Sequence, residues 1–189
     1  MEHVMRKIIL AAIIAGSAMA ASPALAQSAS GTVNVTGTVA SKCTASAPIT
    51  GSITLNELAL AGGTVDAAFS SNSGGLSRSF TVKCTSSAPS IQVSATPLAL
   101  TPSVTAATGY TGTVHYTATL TAAKAGGGAP ASTAHTTNAA APAALAVGDR
   151  LANATNNVTV AVSNGFTSTA TDLLEAGSYQ STITITVSP

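Results

Sequence analysis

Apolar and polar side chains alternate with a period of two along much of the chain. The pattern is clearest at 32–39, where Val33, Val35, Gly37 and Val39 share one face and Thr32, Asn34, Thr36 and Thr38 the other. Such a period places successive side chains on opposite sides of an extended backbone, which marks a strand with one face to bury. Comparable alternation at 52–58, 78–85, 90–95, 113–121, 157–164 and 181–188 predicts further strands, most of them separated by turn-forming residues. Within them Phe80 and Val82 point one way with Cys84, Val158, Val160 and Val162 form a second apolar face, and Ile183, Ile185 and Val187 a third.

No stretch of helix length carries a 3.6-residue period. At 139–145 the pattern allows one helical turn, interrupted by Pro142. The segments 62–75 and 122–148, rich in Gly, Ala and Pro, are expected to be surface loops. Short strands with one apolar face and no amphipathic helix predict an all-β fold, two antiparallel sheets packed face to face as an immunoglobulin-like sandwich.

The first residues change the picture. Arg6 and Lys7 precede an apolar run from Ile8 to Ala20, too short for a stable membrane span, and Ala24 and Ala26 form an Ala-x-Ala site before Gln27. This predicts a signal peptide over 1–26, export, and no membrane insertion after cleavage. Of the 189 residues about 163 then remain, enough for one domain with a single core.

Cleavage removes Glu2, Arg6 and Lys7 and leaves five basic and five acidic side chains, a formal charge of zero. Without a cluster of Lys or Arg the chain has no electrostatic footprint for nucleic acid or anionic lipid. Cys43 and Cys84, an even pair in an exported chain, are expected to form one disulfide. Closing a loop of that length stabilises a domain by about 3–4 kcal/mol.

Candidate chemistry is sparse. The acids are Glu57, Asp66, Asp149, Asp172 and Glu175, all near expected turns or strand ends, and His3, His115 and His135 are scattered. Asp172 and Glu175 lie close in sequence but in a connection before the last strand, and no nucleophile elbow surrounds any serine. Asn34, Asn153 and Asn157 each begin an Asn-x-Thr triplet, a weak signal in so Thr-rich a chain. The expectation is a protein with no catalytic residues, no cofactor and no metal.

Residues 31–43, GTVNVTGTVASKC, resemble the amino-terminal extension of chaperone-usher pilins, in which alternating apolar residues with an interposed glycine lead into the first cysteine. Residues 78–95, RSFTVKCTSSAPSIQVSA, and 174–189, LEAGSYQSTITITVSP, are similar to the corresponding parts of the spore coat protein U family, which includes archaic chaperone-usher pilus subunits. The resemblance implies a pilin-like domain over 41–189, a sandwich lacking its last strand, and a donor-strand extension over 27–40 that completes a neighbour's sandwich. On that pattern Val33, Val35, Gly37 and Val39 are the inserted residues, and Ile183, Ile185 and Val187 form the carboxyl-terminal strand that edges the groove. The terminal Pro189, which has no N–H, departs from the family pattern.

The partners so implied are identical or related subunits, a periplasmic chaperone and an outer-membrane usher, with the fibre at the cell surface serving adhesion and biofilm formation. The alternative is a self-complemented secreted module or adhesin that binds a surface or sugar through Tyr110, Tyr116 or loop residues.

Overall fold

The structure is a computed structural model that describes residues 31–189. The expected signal peptide at 1–26 lies outside the described residues. The chain divides after Thr38 into two units.

From Val39 onward the protein is all-β. The longest strands are β7 (Thr113–Ala122) and β10 (Val158–Phe166), which pair antiparallel with Val158 opposite Ala122 and a bulge between Ser163 and Phe166. Beyond β10 lies β2 (Ser77–Phe80), with Val158 opposite Phe80. On the other edge of β7, β5 (Leu98–Thr101) pairs with its first residues and β8 (Ala131–His135) with Thr117 to Thr121. Outside β5 runs β12 (Ser178–Gln180).

A second antiparallel sheet has the order β13 (Ile183–Ser188), β4 (Ser90–Ala95), β9 (Leu145–Ala146). Two small ribbons complete the unit. One pairs β1 (Cys43–Ala45) with β3 (Val82–Cys84), antiparallel, and the other pairs β6 (Tyr110–Thr111) with β11 (Leu173–Leu174), parallel.

The period-two pattern explains why these sheets share a core. Ile91 and Val93 of β4, Val114 and Leu120 of β7, and Val158 and Val160 of β10 are all buried in one apolar cluster, while most alternate positions hold Ser, Thr or Gln. Layered antiparallel sheets over one core are consistent with a β-sandwich. Backbone groups of the kinked stretch between β2 and β3 are taken up by a side chain: Val82 N–H donates to Asn157 Oδ1 at 2.9 Å and Asn157 Nδ2 donates to Val82 O at 2.8 Å.

Four expectations are corrected. The stretch 52–58 forms no strand, because no ladder partner lies beside it among the described residues. The stretch 78–85 is two strands, broken at Thr81, whose second half leaves β10 to pair with β1. The segment 122–148 is not all loop, since β8 and β9 lie within it. Residues 139–145 contain no helical turn; Pro142 instead offers its carbonyl to Gln92 Nε2 at 2.6 Å.

Candidate functional site

The carboxyl-terminal strand β13 hydrogen-bonds to β4 along its whole length, Ile183 opposite Ala95 through Ser188 opposite Ser90. Among the described residues its other edge has no strand beside it. Facing it is the extended segment 49–55. Its apolar residues Ile49, Ile53 and Leu55 are half-buried and turn inward, and the backbone of 51–55 makes no hydrogen bond among the described residues. These two unladdered edges are the walls of an open groove of about 600 Å³.

Its floor is the apolar face of the large sheet, supplied by Phe80 of β2, Val160 and Val162 of β10, Leu98 of β5 and Tyr116 of β7. Ile183 and Ile185 of β13 project into it, half-buried, with Thr184 and Thr186 exposed between and beyond them. Val187, the third residue of that face, is half-buried but packs against the core beyond the groove lining. Edge backbone groups paired only with water are a template for another strand, and apolar side chains left half-covered gain by its burial, so both favour an added strand.

Polar groups mark one stretch of the groove. Tyr116 is only 2% exposed, and its hydroxyl hydrogen-bonds Ser181 Oγ, which donates onward to Thr96 O at 2.7 Å. Burial pushes the Tyr116 hydroxyl above the usual tyrosine range. Tyr179 donates to Glu175 O at 2.9 Å and Thr111 O at 3.2 Å, and its hydroxyl is raised likewise, chiefly by burial and then by the Glu175 carboxylate. Arg78 of β2 lines the groove beside Gly51, with Nη1 donating to Gly74 O and Ser77 O at 2.9 and 2.7 Å.

The chain matches no protein-family model, no curated protein and no solved structure. Function therefore has to be read from the groove and from the segment that precedes it.

That segment, 31–40, belongs to no strand and is exposed throughout. Val33, Val35 and Val39 are 87%, 92% and 81% exposed, and a Cβ placed on Gly37 would meet nothing within 4 Å. Its root is fixed. Thr85 Oγ1 donates to Ala40 O at 2.8 Å and accepts from Lys42 N at 3.0 Å, while Thr85 N donates to Lys42 O at 2.9 Å. The adjoining residue is Cys43, disulfide-bonded to Cys84.

Other candidate residues are placed elsewhere. Tyr116 is 2% exposed on the groove floor, whereas Tyr110 is 43% exposed on the β6–β11 ribbon. Glu175 Oε1 accepts from Ala107 N at 3.4 Å, in a connection as expected. Asn157 is a buried core residue, so its Asn-x-Thr triplet serves structure. The sequence reading missed the second groove wall and the floor. The alternation of Ile53 and Leu55 was legible, but nothing in it distinguishes a paired strand from an extended segment without a ladder.

Proposed function

We propose that the chain is a structural subunit of a surface fibre, an incomplete immunoglobulin-like sandwich whose groove receives the amino-terminal strand of another copy. The observation that carries this reading is the coexistence of an open apolar groove between two unladdered edges with an exposed alternating segment in the same chain. The lengths agree. Val33 to Val39 spans about 20 Å when extended, and the six residues of β13 span about 17 Å.

In the joint Val33, Val35 and Val39 enter the groove and the backbone of the inserted strand ladders with β13 on one side and 51–55 on the other. Gly37 takes the remaining inward position and adds no side chain there. Each buried valine contributes about 1.5–3 kcal/mol before ordering costs. Polymerisation needs no catalytic residue. Before assembly the groove is an aggregation hazard, which is the role of a periplasmic chaperone, and an outer-membrane usher is the site of exchange. Adhesion and biofilm formation follow from the fibre at the cell surface.

The test is an immunoblot of material sheared from cells that express the full chain with its own operon, run unboiled and boiled. A ladder that collapses to one band on boiling, and that is lost in Val35→Asp, is the expected result. Monomer in both lanes favours a self-complemented surface module and overturns the fibre.

A further inference from the structure

The charges of the domain are sorted between its two ends. At one end β7 finishes at Ala122, β10 starts at Val158 and the Cys43–Cys84 disulfide holds the root of the amino-terminal segment. Lys42 adjoins that disulfide, Lys83 Nζ donates to Asn153 Oδ1 at 2.6 Å in the loop before β10, and Lys124 and Arg150 lie on the paired connections that leave β7. Asp149 is the one acid there, its carboxyl held below the usual range by the backbone N–H of Arg150 and then of Gly126. Four cations against one carboxylate give this root end a net charge of +3.

The other end, where β7 starts and β10 finishes, carries four of the five acids. Asp172 immediately precedes β11, Glu175 N donates to Thr111 O just before β7, and Asp66 O lies beside Gly165 in the last turn of β10. Glu57 adjoins Leu58, whose carbonyl accepts from Asp66 N. With His uncharged, these four acids and the single base on this side, Arg78, whose Nη1 donates to Gly74 O on the loop that follows Asp66, give a net charge of −3. Exposed apolar side chains are sorted as well. Of the five large ones outside the amino-terminal segment, Leu60, Val104, Tyr110 and Phe166 lie toward the far end and only Leu145 does not.

On the reading of the groove given above, we propose that this polarity is a second joint: the cationic root end of one copy docks on the acidic far end of the next. Chain length enforces the contact. Only Ala40 and Ser41 separate Val39, the last inserted side chain, from Lys42, so these two Cα atoms are at most about 10–11 Å apart. A strand that leaves the groove at the far end therefore brings Lys42 against its rim. Glu57 stands there two residues beyond Leu55, and Glu175 stands behind Tyr179, both groove-lining residues. A strand leaving at the root end would instead press two +3 surfaces together. The charges select the head-to-tail direction and speed encounter, as complementary surface fields do.

The decisive experiment treats the unboiled ladder from the full chain with a water-soluble carbodiimide, which joins Lys Nζ to a carboxylate as an amide with loss of water, and maps the joined peptides by mass. The expected product links Lys42 of one copy to Glu57 or Glu175 of another. As a second arm, Lys42→Glu should lower the amount of ladder about tenfold, and adding Glu57→Lys and Glu175→Lys should restore it. Lys42 uses only its backbone in the fold, so boiled monomer levels confirm that the variant is made. A ladder without that cross-link, with Lys42→Glu assembling normally, overturns the end-to-end contact and leaves the strand-donation reading intact. No ladder from the unmodified chain overturns both.

Discussion

At the scale of single residues the far end is held by a compact knot around Phe69, which is fully buried despite a backbone φ of 49°. Few bulky residues adopt that left-handed geometry unaided. Asp66 holds it, its carboxylate accepting from Ala68 N at 3.0 Å, Ser70 N at 2.6 Å and the Ser70 hydroxyl. Those bonds, the Ser70 hydroxyl first, hold the Asp66 carboxyl below its ordinary value of 3.8. A lowered folded pKa means that the stabilisation is complete above the unfolded value and is lost as pH falls through the folded one. Thermal melts between pH 2 and 6 should show an acid-side loss that is smaller in Asp66→Asn, which is also less stable at neutral pH; parallel pH curves would assign the loss to other groups. Gly165 closes the knot from β10. A Cβ there would lie 2.6 Å from Phe69 Cζ and 3.2 Å from Asp66 O, so Gly165→Ala must displace the ring or the chain. The expected cost is about 1–3 kcal/mol, read as a lower urea midpoint with an unchanged slope.

At the scale of elements, the strands that bury branched apolar residues on one face were legible: 90–95 coincides with β4, and 113–121 and 157–164 fall within two residues of β7 and β10. The strand β8 was not, because its inward residues are Ser132 and Ala134, both buried, and Ser132 earns its place by accepting from Val93 N at 3.4 Å. Small and polar inward residues carry no hydrophobic period, so only the packed neighbour reveals them. In β5 the alternation has just two inward positions, buried Leu98 and Leu100, between Pro97 and Pro102. Of the groove, the β13 wall was legible from Ile183 and Ile185 and the floor was not, since Tyr116, Val160 and Val162 read as ordinary core. Tyr116→Phe tests the floor at this scale. It removes the bond to Ser181 while leaving Ser181 bonded to Thr96 O, so stability should fall by about 1 kcal/mol. Because burial raises the Tyr116 hydroxyl, its contribution is intact below the unfolded tyrosine value of about 10 and is lost as pH rises beyond it. The alkaline limb of the stability curve should therefore soften in the variant and stay unchanged if Tyr116 is solvated in solution.

At the scale of the whole molecule, tension on a fibre joined by donated strands would enter the domain at residues 40–42. From there the covalent path runs to Cys43 and across the disulfide to Cys84 on β3, which is anchored to the large sheet through Asn157. The alternative path is weak. The ladder of β1 has three residue pairs, and 51–55 beyond it makes no backbone bond among the described residues. Without the disulfide, pulling would peel β1 pair by pair and then strip out the groove wall, and with it the proposed acceptor of the donated strand. The disulfide closes a sequence separation of 41 residues, for which chain entropy gives about 4 kcal/mol at equilibrium. Its mechanical contribution should be larger than that figure suggests, because it converts a zipper geometry into a load borne across the sheet. Single-molecule extension of the chain between its amino-terminal segment and its carboxyl end should show, under reducing conditions only, an early low-force lengthening before the main unfolding event. In oxidising buffer the first event should be the rupture of the sheets. An early step that is identical with and without reductant would place the load elsewhere and remove the disulfide from the force path.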